Sequence, residues 1–99
     1  MTYQNIVAFI PELTLQKVEK ELRKKRVPDL YVSKVHGFGE YKNLYKNDCM
    51  DDCIRVEIFC KEEIAKEIAE IIHDAVHSGL RSDGFVAIQP VDEFINISK

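Results

Sequence analysis

Apolar residues in this chain recur at two spacings, and the changes of spacing mark its elements. "YQNIVAFI", Tyr3 to Ile10, is a short apolar run closed by Pro11, which predicts a strand covered on both faces. In "LQKVEKELRKK" the spacing lengthens: Leu15, Val18 and Leu22 share a helical face, Thr14 stands where an N-cap belongs, and Pro28 ends the element. Lys17 occupies the place where a capping box needs Glu or Gln, so the cap is of the ordinary kind. "LYVSKVH" alternates as a second strand. From Phe38 to Asp52 no period survives, and Asn43, Asn47, Asp48, Asp51 and Asp52 favour a long loop. "CIRVEIFC" returns to alternation, with Ile54, Val56 and Ile58 on one side and Arg55, Glu57 and Phe59 on the other. "EEIAKEIAEIIHDAVHS" is helical: Ile64, Ile68, Ile71, Ile72, Ala75 and Val76 form its stripe, and Glu62 and Glu63 suit its positive end. Gly79 is placed to stop it in a left-handed conformation. "FVAIQPV" reads as a fourth strand and "FINIS" as a short fifth piece.

The order strand, helix, strand, long loop, strand, helix, strand predicts a single α+β domain over residues 1–99. It is the ferredoxin-like βαββαβ plan, an antiparallel sheet with both helices on one face. Val7, Phe9, Tyr31, Val35, Phe59 and Val86 are then left for the other face. An open apolar sheet face marks an interface, so an oligomer is expected.

Composition narrows the class. Of 99 residues, 45% are hydrophobic and 31% charged, as in an ordinary globular domain. The net charge of −3 argues against a general nucleic-acid binder, whose affinity rests on neutralising phosphates. "KVEKELRKKR" holds six Lys or Arg against two Glu and reads as a solvated helix face. No apolar run approaches the ~18 residues of a membrane span, and the start lacks a basic region followed by a hydrophobic one. A cytoplasmic protein with no direct membrane insertion is expected. No P-loop, nucleophile elbow or nucleophile–base–acid set appears, so no enzyme activity is expected.

The stretch "VSKVHGFGEYKN" carries the strongest chemistry. Glycines around an aromatic can cradle a phosphate, form an RNA-binding strand, or let the chain turn. In RNA-recognition motifs the comparable aromatic signature lies inside the third strand, whereas Gly37–Gly39 closes the second. Val35-His36-Gly37-Phe38-Gly39, followed by a long loop and "IRVEIF", instead resembles the PII signal-transduction family and its PII-like relatives. Two further landmarks follow in order: "SGLRSDGF", Ser78 to Phe85, resembles the family's B-loop, and "QPVDEFINIS" resembles its C-terminal segment. Together they cover essentially the whole chain.

The resemblance implies a homotrimer whose sheets pack around a three-fold axis, with clefts between subunits that bind adenine nucleotides. It places a T-loop at about 40–52 and a B-loop at about 79–84. Gly37, Phe38, Gly39, Arg81, Ser82, Asp83, Gly84 and Phe85 are the implied nucleotide-binding residues. Glycines at 37, 39, 79 and 84 would let backbone N–H groups approach anionic oxygens. Tyr41 and Tyr45 are the implied partner-facing residues of the loop, and Tyr45 lies near where some members are modified on tyrosine. The partner would be a target protein, an enzyme or a membrane transporter. Several family cations are missing: the positions appear here as Glu40, Cys53, Phe85, Asn96 and Ser98. Each lost charge-assisted hydrogen bond costs roughly 1.5–3 kcal/mol, which favours ADP or AMP over ATP with 2-oxoglutarate. No cofactor is required.

Cysteine and histidine supply the alternatives. "NDCMDDC" spaces Cys49 and Cys53 with acids between them. They stand as free loop thiols, as a redox bridge, or as half of a zinc or copper site in a metal- or redox-responsive trimer. Cys60 reads as a small buried residue. His73 and His77 share a helix face with Glu70 and Lys66, a ligand-capable spacing on a face that reads as solvated. His36 precedes the glycine turn, where it could meet a phosphate.

Overall fold

The computed structural model describes residues 2–35, 53–79 and 83–98. Its strands are β1 (Tyr3–Pro11), β2 (Tyr31–Lys34), β3 (Cys53–Lys61) and β4 (Phe85–Val91), and its helices α1 (Leu15–Lys24) and α2 (Glu62–Val76). The strands form one antiparallel sheet ordered β2-β3-β1-β4. This is the ferredoxin-like arrangement expected from the element order.

Register decides which residues meet. Ile6 stands opposite both Ile58 and Ile88, and Ala8 opposite both Val56 and Val86. Cross-strand partners share a face, so these residues lie on one side of the sheet with Ile10 and Ile54. There all but Ile88, which is 42% exposed, pack with Val18 and Leu22 of α1 and Ala65, Ile68, Ile72, Ala75 and Val76 of α2. At about 25 cal/mol per Å² of apolar surface, this shared face is the main source of stability. As the inner strand between β3 and β4, β1 buries Ile6, Val7 and Ala8 in succession, matching its nearly continuous apolar run.

The opposite face is open. Val7, Phe9, Tyr31 and Phe59 are on it, as expected, and Phe59 is 42% exposed. Val86 is not: its pairing with Ala8 turns it to the helices, and Phe85 takes the open side, stacked on Phe9 with centroids 5.1 Å apart. The Val35 N–H extends the β2–β3 ladder by donating to the Cys53 carbonyl at 3.3 Å.

Local details depart from the sequence expectations for identifiable reasons. Thr14 closes a 3₁₀ turn over Glu12–Thr14 and its hydroxyl donates back to the Pro11 carbonyl at 2.7 Å, so it does not cap α1. Helix α1 ends before Pro28: Val27 N–H donates to Leu22 O at 3.2 Å and Arg26 N–H to Arg23 O at 3.0 Å, with Arg26 at φ 60°. That is a Schellman ending, with arginine where glycine is usual. In α2 the small Ala65 faces the sheet, and Ile64 is 43% exposed. The N-terminus of α2 is held by the chain start, since Glu62 N–H donates to Thr2 O at 3.0 Å. "FINIS" forms no strand: Asn96 Oδ1 accepts from Ser98 N at 2.9 Å in a local turn, and Phe94 stacks on Tyr3 at 4.1 Å.

Candidate effector site

One end of the sheet gathers the ends of both predicted loops. Val35 leads into the long loop and Cys53 leaves it, and these two are joined backbone to backbone. Cys53 is in register with Pro11, and Phe85, where the second loop ends, with Phe9. The C-terminal end of β1 thus organises the described edges of both loops.

The connection from α2 to β4 is shaped by Asp83. Its carboxylate accepts from Ser78 N at 2.7 Å, from Gly79 N at 2.9 Å and from the Ser78 hydroxyl. Burial alone would raise its pKa. The hydrogen bonds from Ser78 and Gly79, with the nearby His77, outweigh that and hold it below the usual carboxylate range. The same bonds explain why α2 stops at Val76 rather than running to Ser78. His77 N–H still donates to His73 O at 2.8 Å, but ψ of 125° at His77 turns the chain toward Asp83. Gly79 takes φ +90° beyond this turn rather than at the helix end.

A cavity of about 670 Å³ opens between α2 and β4. Ile10, Val86 and Ile88 line its apolar side; Lys66, Glu70 and Asp83 bring charge. Its size and mixed lining suit a small ligand. Of the nucleotide-binding residues expected from sequence, Asp83, Gly84 and Phe85 line it. Gly37, Phe38, Gly39, Arg81 and Ser82 lie outside the described residues, as do His36, Glu40, Tyr41, Tyr45, Cys49 and the loop 40–52. Two of the described donors are committed within the chain, since the Ser78 and Gly79 N–H groups serve Asp83. In the sequence Lys66 and Glu70 read as part of a solvated helix face. Their opening onto the β4 side becomes visible only once the α2–sheet packing is known.

Cys53 is half-buried and Cys60 buried, and burial pushes the Cys60 thiol up. Among the described residues no group of three or more His, Cys, Asp or Glu is arranged to hold a metal, and no helix is long and apolar enough to cross a membrane.

The class is thus a ferredoxin-like α+β domain in which the described edges of the 36–52 and 80–82 segments meet at one sheet end. The sequence profile of the nitrogen regulatory protein P-II family matches residues 3–99, and the chain belongs to that family of regulatory signal-transduction proteins. Among solved structures, the chain is similar to the PII protein of Arabidopsis thaliana in its citrate-bound crystal form. That match has a TM-score of 0.80 and 24% identity, and covers 98% of this chain and 84% of that one. At that identity the likeness establishes the fold. No curated protein matches the sequence.

Proposed function

We propose that this chain is a cytoplasmic, trimeric PII-type regulator. It binds ADP or AMP, rather than ATP with 2-oxoglutarate, in clefts between subunits, and controls a target enzyme or membrane transporter through loop 40–52. The observation that carries this reading is the convergence of Val35, Cys53 and Phe85 on one end of β1 in a P-II family chain. An effector beside Gly84–Phe85 would lie next to both feet of the loop. Its preference for one loop conformation would then set which state a partner meets.

The uncovered sheet face supports the trimer. Asn5 Nδ2 donates to Glu57 Oε2 at 3.3 Å, and Arg55 Nη2 meets the same oxygen at 3.2 Å. Yet among the described residues Asn5 Oδ1 and Arg55 Nε are buried without hydrogen-bond partners. Buried polar atoms of this kind are costly when unpaired, and subunits closing over the face would supply partners. The preference for ADP or AMP follows from the neutral or acidic residues at family cation positions and from the commitment of the Ser78 and Gly79 N–H groups to Asp83.

Thermal melting of the metal-free protein against ATP, ADP, AMP, 2-oxoglutarate and citrate tests the reading. A ligand at a hundred times its dissociation constant adds about 2.7 kcal/mol per site, a shift of several degrees for a chain this size. A shift with ADP or AMP that is lost in Arg81→Ala is expected. Equal melting with every nucleotide would overturn it. Deleting residues 43–50 should abolish partner capture while leaving the nucleotide shift in place.

A further inference from the structure

The last turn of α2 carries a second cluster, on the helix side of the cavity rim. His73 and His77 are one turn apart, and their rings stack with centroids 5.0 Å apart and planes 15° from parallel. Both are well exposed, yet each ring has a carboxylate at the same nitrogen. His73 Nδ1 is 3.0 Å from Asp74 Oδ1, a hydrogen bond, and His77 Nδ1 is 3.7 Å from Asp83 Oδ2, an electrostatic contact. The Asp74 carboxylate at His73 Nδ1 favours the neutral ring with its proton on that nitrogen and a lone pair on Nε2, and the Asp83 carboxylate near His77 Nδ1 favours the same arrangement. Neither Nε2 is hydrogen-bonded among the described residues.

Imidazoles one helical turn apart, with centroids 5.0 Å apart, lie close enough for one cation to be shared between their Nε2 atoms, and a carboxylate behind each is the outer arrangement that metal-binding histidines use. We propose that His73 and His77 bind a divalent transition cation of the zinc, nickel or copper class through their Nε2 atoms. Asp74 and Asp83 orient the rings from behind. Imidazole suits these metals rather than magnesium or calcium, which prefer oxygen. The two histidines are the only protein ligands the site assigns, since no group of three or more His, Cys, Asp or Glu is arranged to hold a metal among the described residues. Water fills the other positions. Because Asp83 also holds Ser78 and Gly79, a cation at His77 is tied to the geometry of the α2–β4 connection. The site goes beyond the nucleotide reading and does not depend on it.

The test uses the full chain with Cys49→Ser and Cys53→Ser, which removes competing thiolates, after stripping with a chelator. Long-range ¹H–¹⁵N spectra of the imidazoles are followed during titration with Zn²⁺, and affinities for Zn²⁺, Ni²⁺ and Cu²⁺ by calorimetry. Before metal, His73 and His77 should both show protonated Nδ1 and bare Nε2. Zn²⁺ should then move the Nε2 signals of these two rings and leave His36 unmoved. His73→Ala and His77→Ala should each weaken binding by about tenfold or more, and Asp74→Asn severalfold. Both rings are exposed, so these variants should fold as the parent does. Three results would overturn the proposal: metal bound with both rings unmoved, affinity unchanged in the double His→Ala variant, or no binding of any of the three cations at millimolar concentration.

Discussion

Gly84 lies directly against the carbonyl of Phe9. A Cβ at position 84 would fall 1.8 Å from Phe9 O and 2.9 Å from its carbonyl carbon, and the residue takes φ +95°. Strand β4 enters the sheet beside β1 at this point, so the contact sets where the second loop ends. Gly79 has a similar φ of +90°, but among the described residues nothing lies within 4 Å of the corresponding position. The two glycines therefore separate conformational strain from steric exclusion. Gly79→Ala should cost about 1–2 kcal/mol, the left-handed penalty alone. Gly84→Ala should cost more than about 3 kcal/mol, because backbone atoms must also move. Urea unfolding midpoints of the two variants check the difference.

Arg26 occupies the left-handed position that ends α1, with φ 60°. A β-carbon there costs roughly 1–2 kcal/mol, partly offset in a glycine variant by the greater freedom of its unfolded chain. Arg26→Gly should therefore raise stability by about 0.5–1 kcal/mol. A valine at the same place should lower it. Thermal melting of the pair decides whether the Schellman ending carries this strain.

Asp83 should make stability pH-dependent in a defined direction. Its folded pKa is lowered, so the unfolded chain takes up a proton first as pH falls. The stabilisation is fully present above the ordinary Asp value of about 3.9 and is lost as pH falls through the lower folded value. Asp83→Ala should cost about 1 kcal/mol at pH 7, as for loss of a helix-capping side chain. The gap between wild type and variant should close below the usual carboxylate range. A gap that widened in acid would contradict the hydrogen bonds assigned to the carboxylate.

Phe59 stands 42% exposed on the uncovered sheet face. Phe59→Lys should leave the isolated subunit folded, within about 1 kcal/mol, since half-exposed positions contribute modestly. It should break the trimer proposed above, because three charges would be buried around one axis. Sedimentation of both proteins over a concentration series reads the outcome.

Cys60 is 7% exposed and its thiol is pushed up by burial. Alkylation at Cys60 should proceed only as fast as the fold opens, because the thiolate is the reacting form. Mass spectrometry after timed iodoacetamide exposure, native and in urea, gives the comparison.

The element plan was legible in the sequence because period and burial are coupled locally. The alternation of Ile54, Val56 and Ile58, and the recurrence of Val18 with Leu22, state which sides are buried wherever those segments pack. The P-II family landmarks were legible too, since glycines at fixed spacing need no tertiary information to recognise. What lies between segments was not. Val86 belongs to the helix side because its partner across the ladder is Ala8, and register is a relation between strands distant in sequence. Helix α2 stops at Val76 because Asp83, seven positions further on, takes the Ser78 and Gly79 N–H groups. Gly84 is excluded from carrying a side chain by Phe9, on another strand. Lys66, Glu70 and the two histidines acquire a common surroundings only when α2 is laid against β4. Local patterns specify which residues are buried and roughly where elements lie. Register, helix ends and the grouping of site residues depend on contacts between distant segments, so they were settled only by the folded chain.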